Sequence, residues 1–397
     1  MNQKTKWQQK QIGDVCEATR GTSITKKEVV DGKYPVIAGG QTPAYFHNQF
    51  NREGKTITIS GSGAYAGFTA YHKTPIFASD CTTLQIPKED NLLTKFLFLS
   101  LKSRQADIYK MQTGAAQPHV YCRDIAKMEI AFPPLAEQKR IVQILERQLE
   151  TVEKARIAAE KRLSEANALS AAILRAALTP SKSQKWKSVK IEEICQFING
   201  LWVGKKPPFQ TIKVIRSTNF SASGKINLDN VAIIPVETRV LPDKLLQSGD
   251  IIIENSGGGE NQPVGRVVYF DINDEDMYSF GSFTSRIRAN TQIVNSRMLF
   301  YMLLNFYRIG GTISLEHRTS GIRNLNRNGY KQSKVLLPPL TEQRRITDLL
   351  DHQLEMVEKT QAAVAAELNE IRALPAALLR MALSVSPPPR RRHAAET

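Results

Sequence analysis

The stretch that organises this sequence, residues 133–179, reads PPLAEQKRIVQILERQLETVEKARIAAEKRLSEANALSAAILRAALT. It returns at residues 338–384 as PPLTEQRRITDLLDHQLEMVEKTQAAVAAELNEIRALPAALLRMALS. The two copies lie a constant 205 residues apart without a gap, and 25 of the 47 paired positions are identical. Such an offset indicates that one structural element has been duplicated within the chain.

Each copy is predicted to be a long helix. The opening Pro-Pro suits a helix start, and the residues after it are mostly good helix formers without any glycine. A helix of this length would extend about 65 Å. Apolar residues recur at the heptad spacing typical of a coiled-coil seam. The predicted seam comprises Val142, Leu145, Leu149, Val152, Ala159, Leu163, Ala166, Ile173 and Ala177, then Leu350, Leu354, Val357, Val364, Leu368, Ile371, Leu378 and Ala382.

The number of copies decides which helices pair. A single copy would be typical of a coiled coil used for dimerisation. Two copies in one chain can pair with each other, and the chain direction favours an antiparallel pair that joins two globular parts. Arg156, Gln361 and Pro375 fall on the seam and interrupt it.

Composition indicates an ordinary soluble protein that binds a polyanion. The chain has 397 residues, enough for two or three domains with cores of their own. No apolar run approaches 18 residues and the N-terminus lacks the apolar core of a signal peptide, so we expect a cytoplasmic protein. Four widely spaced cysteines without a CxxC indicate neither a zinc site nor a disulfide framework. The net charge of +16 and the pI near 9.6 favour nucleic acid as partner.

The globular segments are duplicated as well. Residues 7–21 read WQQKQIGDVCEATRG, and the same frame returns at residues 186–200 as WKSVKIEEICQFING. Cys16 and Cys195 occupy equivalent apolar frames and are predicted to be core residues. The predicted order is a globule at 1–132, a helix at 133–179, a globule at 180–337, a helix at 338–384 and a disordered basic tail at 385–397.

Each globule is predicted to be α+β. In the first, residues 55–60 and 76–86 alternate as strands, and residues 94–110 are apolar at helical spacing. In the second, residues 250–254 and 265–270 are predicted strands and residues 296–308 the matching helix. Strands followed by a helix favour α+β globules over a doubly wound sheet.

Catalytic signatures are missing from the sequence. Residues 61–67 (GSGAYAG) do not form a GxGxxG, and residues 200–205 have the wrong spacing for a phosphate-binding loop. The Asn/Asp-Pro-Pro-aromatic tetrapeptide of amino-methyltransferases is not present, and the six histidines do not cluster. The acidic run at residues 271–276 is predicted to be a solvated loop. We therefore predict a protein that is not an enzyme.

Loops that mix basic, amide, hydroxyl and aromatic side chains carry the positive signal for DNA binding. Arg and Lys suit guanine edges and phosphates, Asn and Gln suit adenine, and Ser and Thr suit either. The predicted DNA-binding residues are Arg20, Thr22, Ser23, Lys26, Lys27, Gln41, Thr42, Ser60, Ser62, Tyr65, His72, Lys73, Gln117 and His119 in the first globule. In the second they are Lys205, Lys206, Arg216, Asn219, Asn255, Ser256, Asn261, Gln262, Arg266, His317, Arg318, Arg323, Asn324 and Asn326.

The chain resembles the specificity (S, HsdS) subunit of type I restriction-modification enzymes. The Pro-Pro-Leu-x-Glu-Gln-x-Arg-Ile string at 133–141 and 338–346 is the most specific part of the resemblance. The segments before it, GAAQPHVYCRDIAKMEIAF and SGIRNLNRNGYKQSKVLL, also contribute, although His119-Val120 stands where the second copy has Asn324-Leu325. The globule–helix–globule–helix order covers nearly the whole chain.

The resemblance implies a fold and a mechanism. Each globule would be a target recognition domain that reads one half of a bipartite DNA target in the major groove. The antiparallel helices would set the spacer between the half-sites and dock two methylation (M) subunits. Whether two restriction (R) subunits also join the complex is left open by the sequence. The predicted contacts with M are Glu137, Gln138, Arg140, Glu342, Gln343 and Arg345, whose alternative role is to cap and charge the first helical turn. S-adenosylmethionine, ATP and magnesium would belong to the partner subunits, so no cofactor is expected in this chain.

Two other functional classes remain open at this point. The chain could be a self-contained nuclease or methyltransferase with a degenerate active site, in which case it would cut or methylate DNA without partners. It could also be a coiled-coil scaffold without sequence preference, in which case it would retain any DNA equally and release it steeply with salt.

Overall fold

The computed structural model describes residues 7–114, 116–202, 204, 206–259, 262–319 and 322–383. The predicted basic tail at 385–397 therefore lies outside the described residues. The chain divides into two compact units. Unit 1 contains the described residues of 1–160 and 365–397, and unit 2 contains those of 161–364.

The globule of unit 1 combines three small sheets with three short helices. Its strands are β1 (Gln8–Gln11), β2 (Glu17–Arg20), β3 (Tyr34–Ile37), β4 (Tyr45–His47), β5 (Thr56–Ser60), β6 (Thr69–His72), β7 (Phe77–Ala78), β8 (Cys81–Gln85) and β9 (Glu129–Phe132). Its helices are α1 (Thr94–Ser103), α2 (Gln105–Lys110) and α3 (Cys122–Ala126). The sheet orders are β2-β8-β5-β6, β4-β3-β7 and β1-β9.

The long helix α4 (Leu135–Ala177) leads into the globule of unit 2. The strands of that globule are β10 (Lys187–Lys190), β11 (Cys195–Asn199), β12 (Phe209–Ile215), β13 (Ala232–Glu237), β14 (Ile251–Glu254), β15 (Ser256–Gly257), β16 (Val267–Tyr269), β17 (Tyr278–Phe280), β18 (Thr284–Ala289), β19 (Glu316–Thr319), β20 (Ile322–Leu325) and β21 (Lys334–Leu337). The helices are α5 (Ile191–Ile194), α6 (Ser296–Arg308) and α7 (Arg327–Gln332), followed by the second long helix, α8 (Leu340–Leu383).

The two globules repeat one topology. The four-stranded sheet β2-β8-β5-β6 of unit 1 has the same order as β11-β18-β14-β16 of unit 2. The three-stranded sheet β4-β3-β7 corresponds to β13-β12-β17, and in both the central strand has one antiparallel and one parallel neighbour. The closing pair β1-β9 corresponds to β10-β21. Unit 2 adds the small sheet β15-β20-β19. The internal duplication and the α+β class predicted from the sequence are confirmed.

Strands and helices differ in detail from the predicted bounds. The segment 94–110 was predicted as one helix, but it forms two, because the chain leaves helical geometry at Arg104 (φ −108°, ψ 21°). The N–H of Arg104 bonds the carbonyls of Leu101 and Lys102, which ends α1 in a tight turn. The amphipathic helix α6 has the predicted bounds, and the side chain of Asn295 caps it by accepting from the main-chain N–H groups of Arg297 and Met298.

In unit 1 the beginning of α4 packs beside the end of α8. Ile141, Val142 and Leu145 of α4 share one buried cluster with Leu379 of α8 and with the sheet and helices of the globule. Farther along, the guanidinium of Arg372 pairs with Glu160 at 3.1 Å. Because early residues of one helix meet late residues of the other, the two helices are antiparallel here.

In unit 2 the same arrangement recurs with the helices exchanged. Leu174, near the end of α4, lies in one buried cluster with Ile346 and Leu350, near the beginning of α8. Leu174 and Leu379 are equivalent at the 205-residue offset, as are Leu145 and Leu350. The long helices are therefore part of each globule's core.

The predicted seam is buried or half-buried at every position, and the two polar residues that interrupt it have polar partners. Arg156 forms ion pairs with Glu153 and Glu160 of its own helix, each at 2.7 Å. The side-chain amide of Gln361 donates to the carbonyl of Ala166 at 3.2 Å across the pair. Helix α8 continues through Pro375.

A buried glutamine joins each long helix to its globule. The side chain of Gln138 accepts from the N–H of Leu93 at 2.9 Å and donates to the carbonyls of Asn91 and Pro133, each at 2.7 Å. Gln343 makes the equivalent bonds to Asn295 N, Ile293 O and Pro338 O. Both glutamines bond main-chain groups, so the contact does not depend on the side chains of the loop they hold.

The leucines at the ends of the long helices provide a test of this packing. We expect Leu174→Ala and Leu379→Ala each to lower the free energy of unfolding by about 2–5 kcal/mol, because each removes a fully buried side chain from a globule core. Urea denaturation of the isolated chain, followed by circular dichroism, measures the effect.

Matched controls lie on the same helices. Leu169 and Leu374 are 50% and 43% exposed and are also equivalent at the 205-residue offset. Their alanine variants should change the free energy of unfolding by about 0.5 kcal/mol or less. Equal effects at the buried and exposed leucines would contradict the packing described above.

Candidate nucleic-acid interface

Four loops of unit 1 meet at one end of the sheet β2-β8-β5-β6. We call this place the loop junction of unit 1 and define it as residues 20–22, 61–63, 79–81 and 119–121. The N–H of Gly61 donates to the carbonyl of Asp80 at 3.0 Å, and the N–H of Val120 donates to the carbonyl of Gly61 at 3.0 Å. Ser62 and His119 form an isolated antiparallel bridge. The junction is thus held by main-chain bonds, and Arg20, Thr22 and Tyr121 have exposed side chains on it.

Unit 2 builds the same junction from residues 199–201, 255–257, 281–284 and 323–325. The N–H of Asn255 donates to the carbonyl of Phe283 at 2.8 Å, and the N–H of Leu325 donates to the carbonyl of Asn255 at 2.8 Å. Ser256 pairs with Asn324 as Ser62 pairs with His119. The frame is repeated, whereas the side chains on it differ.

A glycine is required where the first strand of each sheet enters its junction. A Cβ on Gly21 would lie 2.1 Å from the carbonyl oxygen of Ser79. A Cβ on Gly200 would lie 1.9 Å from the carbonyl oxygen of Gly281. Neither contact is sterically possible, so the glycine that the two sequence frames share is explained by a close backbone approach.

Most residues predicted to bind DNA in unit 1 are exposed, and several border the junction. The main chain of Thr22 bonds Ala78, and a Cβ on Gly39 would lie 2.6 Å from the carbonyl oxygen of Ser62, so the loops at 22–27 and 39–42 border it. The exposed predicted residues are Arg20, Thr22, Ser23, Lys26, Lys27, Gln41, Thr42, Tyr65, Lys73 and Gln117. Ser62 and His119 are half-buried within the junction.

Three predicted residues of unit 1 do not belong to this surface. Ser60 is buried in β5 with 3% exposure, so its hydroxyl does not lie on the exposed surface of the junction. His72 and Lys73 follow β6 at the opposite end of the sheet, because His72 pairs with Thr56 at the start of β5. Lys73 lines a depression there with Glu146 and Glu150 of α4.

Half of the predicted residues of unit 2 are half-buried or buried. Those exposed to solvent are Lys206, Arg216, Gln262, His317 and Arg318. Those that are half-buried are Asn255, Ser256, Arg266, Arg323, Asn324 and Asn326. Lys205 and Asn261 lie outside the described residues.

Hydrogen bonding explains the internal set. Asn219 is 3% exposed and accepts from the N–H of Arg216 at 2.9 Å, so it shapes a turn. Arg266 forms a bidentate pair with Glu254 at 2.8 and 2.9 Å and bonds the carbonyl of Ser217 at 3.0 Å. Asn326 caps α7 by accepting from Gly329 N. These bonds give the three side chains a role in the fold, and their contact with DNA stays a prediction.

The predicted DNA-binding residues do not include three exposed aromatic residues that lie in or beside the two junctions. Tyr121 is 45% exposed, with the His119 ring stacked beside it at 6.1 Å and the guanidinium of Arg123 lying 5.0 Å from its ring centre. Trp202 and Phe283 of unit 2 are 78% and 63% exposed. The available signal was the position of Tyr121 and Trp202 in the loops that mix basic, amide, hydroxyl and aromatic side chains.

The residues predicted to contact M fall into two classes. Gln138 and Gln343 are 0% and 1% exposed and are bonded inside the globules, so their side chains are shielded from solvent in this chain and their contact with M stays a prediction. Glu342 accepts from the side chains of Gln184 and Trp186 as well as pairing with Arg345. Arg140 and Arg345 have side chains that are 63% and 66% exposed, and Glu137 holds Arg140 at 2.7 Å. The guanidinium groups remain available to a partner.

The described residues contain no group of three or more potential metal ligands. Burial raises the pKa of the Cys16 and Cys195 thiols to about 12, so both stay protonated as poor nucleophiles, in keeping with a core role. Within the same part of the chain, no helix has the length and apolar character needed to cross a membrane.

The pH dependence of stability tests whether the His72 side chain is shielded from water in the folded chain. Burial lowers its pKa from 6.5 to about 4, and its Nε2 lies 2.8 Å from Thr58 Oγ1. As the pH falls below 6.5, His72 is protonated in the unfolded chain, whereas in the folded chain it stays neutral until about pH 4. Stability present above pH 6.5 is therefore lost through this window, by about 2 kcal/mol between pH 7 and pH 5.

We expect His72→Gln to remove this component, because glutamine does not titrate there. Urea denaturation at pH 7 and pH 5 should show the smaller loss of unfolding free energy for the variant. The same loss in both proteins would show that His72 is accessible to protons in the folded state.

Comparison with known proteins places this frame in one family. The sequence profile described as the type I restriction modification DNA specificity domain matches residues 4–161 and 183–370. The chain is 23% identical over 395 residues to the Type I restriction enzyme MjaVIII specificity subunit of Methanocaldococcus jannaschii, covering 90% of this chain and 89% of that protein. A putative type I specificity subunit of Mycoplasma pneumoniae is 30% identical over 141 residues, which span 34% of this chain and 45% of that protein.

Solved structures share the fold. A chain from a study of complex assembly and conformational transition of the type I R-M system matches with a TM-score of 0.71 at 19% identity, over 96% of this chain and 99% of that one. The HsdS subunit from Thermoanaerobacter tengcongensis matches with a TM-score of 0.53 at 19% identity, over 95% and 96% of the two chains. With two profile matches that together cover most of its length, this chain belongs to the family of type I restriction-modification DNA specificity subunits, which are recognition subunits and not catalytic ones.

Proposed function

We propose that this chain selects the DNA target of a type I restriction-modification complex by reading a two-part sequence, one half-site per globule. The observation that carries the proposal is the loop junction, which recurs on one main-chain frame with different side chains in the two units. A repeated frame with different side chains is what two different half-sites require. The net charge of +16 favours association with DNA.

The long helices are proposed to act as the spacer. Each enters the buried core of a globule through a run of apolar residues, and each is tied to a globule by a buried glutamine. A stiff connection converts the separation of two reading surfaces into a fixed number of base pairs, as in dimeric DNA readers. The bases between the half-sites would then be unspecified in sequence.

Docking of two M subunits is proposed at the beginnings of the two long helices. Arg140 and Ile144 are four residues apart on one helix face, and both are exposed. Arg345 and Leu349 repeat them at the 205-residue offset, and Ile144 and Leu349 are 41% and 42% exposed. An arginine beside an exposed aliphatic residue suits a partner contact, and its duplication favours two copies of one partner. S-adenosylmethionine, ATP and magnesium would be bound by M and R subunits.

The internal duplication offers its own test of half-site reading. In the proposed variant, residues 7–132 replace residues 186–337, so that both positions carry the first globule. The helix residues beneath the two globules match, since Ile346, Leu350 and Leu174 stand where Ile141, Leu145 and Leu379 support the first. Gln343 contacts main-chain groups alone, so it can hold either globule.

We expect this variant, expressed with its M subunit, to direct methylation to a motif whose second half is the inverted repeat of the first. Strand-resolved methylation sequencing gives the motif for the native chain and for the variant. A motif that keeps both native halves, or methylation that persists after deletion of the chain, would contradict the proposed function.

The docking proposal is tested separately. We expect Ile144→Asp and Leu349→Asp each to abolish binding of one M subunit, and the double variant to bind none, because a carboxylate would be buried in the contact. Native mass spectrometry of the assembled complex counts the subunits. Ile157→Asp is the control. Ile157 is 54% exposed, but its equivalent in the second long helix is Ala362, so this exposed aliphatic residue is not duplicated and should not contact M. Two bound M copies on the double variant would place the contact elsewhere.

A further inference from the structure

One position of the loop junction carries opposite chemistry in the two units. The carbonyls of Asp80 and Phe283 accept equivalent main-chain bonds, from Gly61 and Asn255 respectively, so the two residues occupy the same place in the repeated frame. The side chain of Asp80 is 35% exposed, and the residue Phe283 as a whole is 63% exposed. A charged hydrogen-bond acceptor in unit 1 and an apolar ring in unit 2 thus occupy equivalent positions of the two junctions.

Two neighbouring side chains contact the carboxylate of Asp80 without occupying all of its hydrogen-bond acceptor positions. One oxygen accepts from the hydroxyl of Ser62, and the other lies 3.8 Å from the guanidinium of Arg20. A carboxylate has about four lone-pair positions, so it can accept further bonds. It faces a depression of about 70 Å³ that is also lined by His119 and Tyr121.

Arg20 stands beside this acceptor as a donor. Its side chain is 81% exposed, and its separation from Asp80 places a guanidinium and a carboxylate side by side at the surface. The pair therefore presents a donor next to an acceptor. An exposed ion pair of this geometry adds little to stability, so either group can bind a base edge with little loss of stability.

The major groove offers a matching pattern in a C·G pair. Guanine presents O6 and N7 as acceptors, and cytosine presents the N4 amino group as a donor beside O6. Arginine binds the two guanine acceptors with its planar fork, and a carboxylate accepts from cytosine N4. An A·T pair also sets an amino group beside an oxygen, but thymine presents the single acceptor O4, so Arg20 could make only one of its two parallel hydrogen bonds.

We propose that this junction position selects one base pair in each half-site, with Asp80 and Arg20 reading a C·G pair and Phe283 contacting the methyl group of a thymine. The assignment rests on the proposed function, since it assumes that each globule reads one half-site. Apolar contact with the thymine methyl is how a phenyl ring discriminates in the major groove. The two units would thereby use one frame to read different bases.

The test is methylation sequencing of cells that carry the M subunit with the native chain, Asp80→Ala, Asp80→Asn or Phe283→Ala. We expect the Asp80 variants to accept other bases at a single C·G position of one half-site, with methylation of the altered sites rising about 5- to 150-fold. The variant Phe283→Ala should relax a single thymine position in the other half-site. Asp80→Asn keeps the size of the side chain and covers the case in which the alanine variant does not fold.

Asp90→Ala is the matched control, because Asp90 is an exposed carboxylate in the loop beyond the far end of β8. It should leave the motif unchanged. Relaxation at an A·T pair, at several positions, or at none in folded Asp80 variants would overturn the inference. If the duplicated-globule variant produces an inverted repeat while the Asp80 and Phe283 variants keep the native motif, this inference fails and the proposed function stands. If that variant keeps both native halves, the proposed function itself fails.

Discussion

The buried side-chain amides of Gln138 and Gln343 fix the geometry on which the rest of the structure depends. Each amide bonds one N–H and two carbonyls of the main chain, and each is almost completely shielded from water. Loss of such a group would leave buried polar atoms without partners, at a cost of about 1–3 kcal/mol for each. Because the bonds ignore side-chain identity, loop sequences can differ between the two globules while the helix–globule angle is held by the same contacts.

Periodicity and self-similarity made the architecture predictable. The heptad repeat predicted both long helices and a seam that is buried or half-buried throughout, but the most deeply buried residues at the helix ends, Leu174 and Leu379, lie one position after the predicted Ile173 and Leu378. The repeated frame around Gly21 and Gly200 forecast two globules of one topology, because both glycines are fixed by a close main-chain contact. These features are local or periodic, so they leave a signal in the sequence without knowledge of tertiary contacts.

The candidate interface was less predictable, since residue type does not report burial. Asn219 and Arg266 have the chemistry of DNA-binding residues, but inside unit 2 Asn219 is hydrogen-bonded in a turn and Arg266 is paired with Glu254. Gln138 was assigned to a partner because it follows Glu137 in the repeated string, whereas it faces inward. Asp80 and Phe283 have no periodic signal, and their equivalence depends on hydrogen bonds between residues about 20 to 30 positions apart.

Exposure separates the arginines that stabilise this fold from those suited to recognition. Arg266 and Arg288 pair with carboxylates that are 1% exposed, so releasing either arginine to DNA would strand a buried charge, at a cost of about 3–5 kcal/mol. The pair of Arg20 and Asp80 is 81% and 35% exposed, and water can solvate both groups when they separate. An arginine can exchange its carboxylate for a base edge at little cost only in the second situation. The solvent exposure of its carboxylate partner therefore decides whether an arginine of this chain is fixed in the fold or is free to bind another group.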